Sequence, residues 1–558
     1  MLEKTYELIK NEPGRYLLYV VASTLLVGTV VPTVLLSLID LGPPGLTLYL
    51  IMLSPGFLVF LVAIIPFLQV GMEKRRVNQI MPLFVTHMAS MVTSGLPLEK
   101  VFGYVAAMRD YGIIAENCGQ IQNLVVNYGM TVSEACRFVA NDIKNDMERD
   151  FFIRLAHAID VGDEMGVFFN YEQEIIMDEF QLNAESTLKN MDFVKEIYVA
   201  LIVAMTFLVV FVAIIPLVGG GVNEMMLLGI TFTFLVLEVM FLLISIFVMP
   251  TDRIWYPWST KVAKNMVTGT DKLLIYVIIL NIVALAILAV YVFFSGMDLR
   301  LAIPIVSTPL LISGLLINRE EQRINNRDNI YGSFIRALGR SMEASSASLP
   351  ASVRQISQHK FGYLSTAVEN LSKRLDTNID PDLAWDNFIA ETESNFIDKF
   401  TRMYIDTTGH GSSPERTSYF ISKNMNKFLA MRKKRNVFVS SMTGVSYGTM
   451  VALAGTMWIM YAVIDYVGVL IESMYGGMAS GGAASIFLGS IINPSYDLGV
   501  LSLVVIVILS IHALVSSLTI NSMKGGHWFG GAFHFSALIW VGVTCTYLVD
   551  IFIGMIMT

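Results

Sequence analysis

The sequence predicts an all-α, polytopic membrane protein with about nine transmembrane helices and two related cytoplasmic helical-bundle domains. Three observations predict it. Of 558 residues, 54% are hydrophobic and only 15% charged, well below the roughly 25% charged residues of an ordinary soluble domain. Nine apolar stretches are long enough to cross a bilayer, which takes about 20 residues per helix; they begin near Tyr16, Leu46, Tyr198, Met225, Leu273, Leu299, Val437, Leu498 and Ala532. Two polar blocks interrupt them, and the apolar residues of both blocks recur at helical spacing.

Residues 1–70 hold the first pair of spans. The first span follows Lys4, Lys10 and Arg15, but it has the length of a full span and no small-residue cleavage site, so it reads as retained rather than as a signal peptide. Block 71–197 is the first cytoplasmic helical domain, with Ile80, Leu83, Phe84, His87, Met88 and Met91 on one helical face and Phe151, Phe152, Leu155, Ala158 and Ile159 on another. Residues 198–317 hold four spans with a short cytoplasmic loop at 250–272, where Trp255, Tyr256 and Trp258 read as headgroup-level anchors. Block 318–436 is the second helical domain, patterned by Ile330, Phe334, Leu338 and Met342 and by Phe396, Ile397, Phe400, Met403 and Tyr404. Residues 437–558 hold the last three spans and an outer loop, Gly-Gly-Met-Ala-Ser-Gly-Gly at 476–482, with no packing signal.

Charge placement orients the chain. With a cytoplasmic N-terminus, the inside segments 1–15, 71–197, 250–272, 318–436 and 521–531 contain 37 of the 38 Lys and Arg residues, and only Arg300 falls outside. That is the bias that positive-inside insertion leaves, and it puts the C-terminus outside.

The two polar blocks also resemble each other. Leu96-Pro97-Leu98 stands against Leu349-Pro350-Ala351, Ala135 against Ala384, and Ile159-Asp160 against Ile405-Asp406, followed by Gly162 and Gly409. The order is kept, and each block is flanked by spans, so a parallel internal duplication explains the pattern. The copies differ in charge: 71–197 has 11 basic and 19 acidic residues, a net of -8, and 318–436 has 18 basic and 14 acidic, a net of +4.

Catalytic patterns are missing: the chain has no GxxxxGK[ST], no HExxH and no GxSxG. No enzyme activity and no cofactor are expected. Cys118, Cys136 and Cys545 are too few and scattered for a disulfide framework or a metal site. His512, His527 and His534 do not share adjacent turns of one helix face and read as polar residues at the membrane edge, not as metal ligands. Glu238, Asp465 and Asp550 lie in or at the ends of spans, where an ionisable group is costly and a functional suspect; interhelical hydrogen bonding is the plainer explanation.

Two turns carry a more specific signal. Gly95, Leu96, Pro97 and Leu98 end one amphipathic helix and start another, and Gly162, Asp163, Glu164, Met165 and Gly166 form a later glycine-bounded turn. A helical domain with these two turns, a juxtamembrane span and a second copy of the arrangement resembles the type II secretion F / type IV pilus platform family. Two copies and nine spans make the archaeal branch, and within it the archaellum platforms, the nearer likeness. That resemblance implies a non-catalytic platform in the cell membrane that couples a cytoplasmic hexameric ATPase to insertion of pilin-like archaellin subunits and to filament rotation. It implies no nucleic acid, and a homodimer is compatible with it. An adhesive pilus or secretion platform and a multi-pass transporter are the alternatives. Two basic clusters, Lys74-Arg75-Arg76 and Arg432-Lys433-Lys434-Arg435, would ordinarily fix topology and touch anionic headgroups; the resemblance adds a second reading, that they dock the ATPase.

Overall fold

The computed structural model describes residues 76–93, 95–214, 224–249, 253–345, 348–477 and 498–557. The spans expected near Tyr16 and Leu46, the residues Lys74 and Arg75, and most of the loop 476–482 lie outside the described residues. Among the described residues the chain is helical throughout, with a single isolated antiparallel bridge between Trp255 and Ser394.

The first bundle starts with helix α1 over residues 76–92. It continues through α2 (Leu98–Ala106), α3 (Ile113–Tyr128), α4 (Val132–Asp142), α5 (Asp146–Val161) and the base of α6 (Met165–Ile214). Local chemistry sets the breaks. Thr131 and Glu134 form a reciprocal capping box at the start of α4, Asn145 caps α5 through the Glu148 amide, and Gly162 ends α5 in the left-handed conformation with φ +80°, which a side chain would strain. The apolar faces close on a core that includes Phe84, Phe102, Phe151, Phe152 and Phe169. Phe84 and Phe151 meet edge to face at 5.6 Å, the arrangement that ring quadrupoles favour.

Three further helices lead out of the first bundle: α7 (Glu224–Val248), the short α8 (Trp258–Ala263) and α9 (Gly269–Ser295). The second bundle starts with the far end of α10 (Leu299–Ser345). It repeats the sequence of elements as α11 (Leu349–Ser357), α12 (Ser365–Asp376), α13 (Pro381–Thr392), α14 (Asn395–Gly409) and α15 (Pro414–Gly477). The starts Val132 and Pro381, Asp146 and Asn395, and Met165 and Pro414 are each 249 residues apart. That register matches Gly162 with Gly411, not with Gly409: Gly411 has φ +92°, whereas Gly409 is the last residue of α14. The core of the second bundle is again aromatic, built on Phe334, Trp385, Phe388, Phe400 and Phe428. Gly339 lets α15 approach α10, because a Cβ there would collide with Ser418 and the Pro414 carbonyl.

Seven described helices are long and apolar enough to cross a membrane: α6, α7, α9, α10, α15, α16 (Leu498–Lys524) and α17 (Gly531–Met557). They coincide with the last seven spans read from the sequence. A membrane-level core joins α6, α7, α15, α16 and α17 through Tyr198, Phe234, Met442, Trp458, Ile508 and Leu538, among others. Helix α9 differs: almost none of its span is buried within the chain. It is tied to α10 by the Asn281 amide, which donates to the Pro309 carbonyl at 2.8 Å.

The loop after α7 does not serve only as an aromatic anchor. Trp258 is exposed, but Tyr256 is buried in the core of the second bundle. The Tyr256 amide donates to the Glu393 carbonyl at 2.8 Å, and the Asn395 amide donates to the Ile254 carbonyl at 3.1 Å. This backbone zipper draws the tyrosine into the core of the second bundle.

Candidate partner-docking site

The first family-like turn is held open by geometry. Gly95 has φ +82° with no atom within 4 Å of where a Cβ would sit, and Pro97 stands as the N-cap of α2. The second turn is shorter than its glycines suggest, since Met165 and Gly166 already belong to α6, and it leaves both Asp163 and Glu164 exposed. Its counterpart in the second copy is covered instead. Ser412 donates to the Ser90 carbonyl of α1 at 2.8 Å, and the His410 ring lies 4.2 Å from that of Tyr104 on α2. So the turn of the second copy packs on the first bundle, while the turn of the first copy faces solvent.

The basic run before the seventh span divides by helix face. Arg432 is buried, donates to Asn325 at 3.1 Å and to Asp328, and lies 4.0 Å over the Phe396 ring. Arg435 is buried as well and donates to the Lys524 carbonyl at 3.1 Å. Lys434 is exposed and pairs with Glu185, and Lys433 is exposed. From the other cluster, Arg76 is exposed at the start of α1.

Sequence reading missed the seam between the two long helices. Lys423 pairs with Glu174, Lys427 with Asp178 at 2.8 Å, and Lys434 with Glu185. Below them Phe180 and Phe428 pack with ring centroids 5.1 Å apart. The available signal was the matched spacing: 174, 178 and 185 against 423, 427 and 434 repeat the same intervals with opposite charge.

Two polar clusters lie inside the membrane-level layer. Glu238 accepts from the Tyr198 hydroxyl at 2.9 Å and is 2.6 Å from Nδ1 of His512, whose Nε2 is 3.0 Å from the Thr449 hydroxyl. These four residues come from α6, α7, α15 and α16, and each is buried. At the other end Asp550 accepts from the Trp458 indole at 2.6 Å and from Arg300 at 2.9 Å, and Arg300 lies 4.5 Å over the Trp458 ring. Asp465 is exposed. His534 is 3.3 Å from the Tyr447 hydroxyl, and His527 accepts from the Phe529 amide. Among the described residues no group of three or more His, Cys, Asp or Glu side chains is placed to hold a metal.

The first bundle also contains a histidine that must stay neutral. His87 is buried with Nδ1 2.9 Å from the Tyr111 hydroxyl. Burial, together with the nearby His410, lowers its pKa from 6.5 to about 3. The unfolded chain therefore takes up a proton below pH 6.5 that the folded bundle refuses, so this contribution to stability is complete above pH 6.5 and is lost as the pH falls toward 3. Between pH 6.5 and pH 5 the loss should be about 2 kcal/mol. Thermal unfolding of the detergent-solubilised protein at both values measures it, and His87→Gln should remove that part of the acid sensitivity.

Comparison with known proteins bears on what these features serve. Residues 84–213, from α1 to the membrane part of α6, match the family described as type II secretion system (T2SS), protein F. Flagella accessory protein J of Methanocaldococcus jannaschii is 26% identical over 98% of this chain and 96% of its own length. Flagella accessory protein J of Methanococcus voltae is 28% identical over 89% of each chain. No solved structure matches. The resemblance carried by the two turns and the duplicated layout is thus found in the first copy as a secretion F domain, and along nearly the whole chain in the two J proteins.

Proposed function

We propose that this chain, with its secretion F domain and its end-to-end similarity to two proteins named Flagella accessory protein J, is the membrane platform of an archaellum-type machine. In this role it is not an enzyme. It receives a cytoplasmic hexameric ATPase on its helical bundles and passes the resulting movement to the membrane helices, where pilin-like subunits are inserted and the filament is turned. Residues 1–70 and 198–317 and the three spans of 437–558 form the membrane part, and 71–197 and 318–436 face the cytoplasm. The near-full-length similarity carries the reading, and the partition of basic residues supports a cytoplasmic N-terminus and an outer C-terminus.

The docking surface follows from which charges remain exposed. Arg432 and Arg435 are engaged inside the protein, so the ATPase meets Lys433 and Arg76, with Lys74 and Arg75 beside Arg76 in sequence, and the open acidic turn at Asp163 and Glu164. Exposed charges of this kind steer association and are weakened by salt. Two variants test it: Lys74, Arg75, Arg76 and Lys433 changed together to Gln, and Asp163→Asn with Glu164→Gln. Each should insert normally yet retain several-fold less ATPase on sedimented membranes, with filaments reduced. Undiminished ATPase binding in both correctly inserted variants would reject the docking surface.

A further inference from the structure

The three ion pairs of the seam share a feature that chance contacts lack: each joins residues 249 apart. The same offset relates the starts of α4, α5 and α6 to those of α13, α14 and α15. Glu174 is therefore facing its own counterpart in the second copy, and so are Asp178 and Glu185. Equivalent residues face each other at successive levels only when two helices run parallel about an axis lying along them, as in a parallel coiled coil. Along this seam α6 and α15 are thus related by a local two-fold axis that follows the helix pair, although the bundles around it are not packed symmetrically.

The membrane helices that come next keep the pattern. α7 and α16 have starts 274 residues apart and ends 276 apart, and the buried contact between them joins Glu238 to His512, 274 residues away. At all four self-facing positions the acid is in the first half and the basic residue in the second. If either half met a copy of itself in this arrangement, Glu174 would oppose Glu174, or Lys423 would oppose Lys423, at every level.

We propose that these unlike residues at self-facing positions are a pairing code: they make the two halves of one chain recognise each other and make each half reject its own kind in a second chain. The occupant of each half's seam is the other half of the same chain. Exposed ion pairs contribute little to stability, and the code works instead through the penalty for like charges in the wrong pairing. It also supplies half of the difference in net charge between the two polar blocks, three acids in one and three lysines in the other. A chain built this way closes its two-fold seam within the monomer, so any further self-association must use another face.

The test uses the full chain in membranes. Asp178→Cys with Lys427→Cys, in a Cys545→Ser background, places a reporter pair at the middle level for a short bismaleimide. The expected product is a cross-link within one chain. Reversing one side only, Lys423→Glu with Lys434→Glu, should slow its formation at least threefold, and raising the ionic strength to about 1 M, where the screening length falls to about 3 Å, should recover most of the rate. Adding Glu174→Lys and Glu185→Lys, which restores opposite charges with the signs exchanged, should return the rate to within twofold of the parent. Salt recovery and the exchanged variant separate a charge effect from misfolding. An unchanged rate after one-sided reversal, failure of the exchanged variant to recover, or cross-links formed mainly between two chains would each overturn the proposal.

Discussion

Changing Arg432 to glutamine should destabilise the second bundle by about 3–5 kcal/mol, because it removes the charged partner of a buried carboxylate. Asp328 is fully buried and accepts from Arg432 and from Ser394, and the Ser394 hydroxyl in turn accepts from the Phe396 and Ile397 amides at the start of α14. The guanidinium also covers the Phe396 ring, so packing is lost with the charge. Lys433→Gln on the next residue should shift stability by less than about 0.5 kcal/mol, as exposed substitutions usually do. Thermal unfolding of the two single variants, purified from membranes, decides it. A wild-type melting temperature for Arg432→Gln would show that the pair with Asp328 does not hold the bundle. The contrast also governs how docking is assayed: a variant that neutralises all four residues of the run would lose partner binding through misfolding alone.

The second large effect is expected within the membrane layer. His512→Leu should cost about 3 kcal/mol or more, since it leaves the Glu238 carboxyl buried with the Tyr198 hydroxyl as its remaining partner among the contacts described above. Replacing both, Glu238→Leu with His512→Leu, should recover most of that loss, because an apolar pair of similar volume removes the unsatisfied group instead of exposing it. Unfolding of the single and double variants in detergent gives the coupling between them. Additive losses would mean that the two side chains do not depend on each other.

The sequence made the helical class, the positions of the last seven spans and the apolar faces of both bundles legible, because all of them rest on periodicity. The faces marked by Phe84, His87 and Met88 and by Phe396, Ile397 and Phe400 are buried as their spacing implies. The basic run was harder to read because four consecutive charges look uniform along the chain. On a helix, however, Arg432 and Arg435 lie three residues apart on one face and Lys433 and Lys434 turn away from it. Tyr256 was misleading for a different reason: its depth is set by backbone hydrogen bonds to a turn more than 130 residues later, which no local pattern encodes. The match of Gly162 with Gly409 in the sequence was off by two residues, because a glycine lies at both positions and only the 249-residue spacing of the helix starts pairs Gly162 with Gly411. The seam was written in the sequence as matched intervals of opposite charge, but those intervals acquire meaning only once the two helices are known to run side by side.

Helix α15 continues without interruption from the second bundle into the membrane layer for 64 residues, about 96 Å at 1.5 Å per residue. Its partner α6 runs for 50. Two rods of this length, fastened along their lower halves, behave mechanically as one lever. A tilt of roughly 5° imposed on the bundles displaces the far end of a 96 Å rod by about 8 Å, a stroke larger than one helical turn of 5.4 Å. Small angular changes at the bundles thereby reach the far end of the membrane helices as translations comparable to the radius of a helix, with no hinge needed along the way.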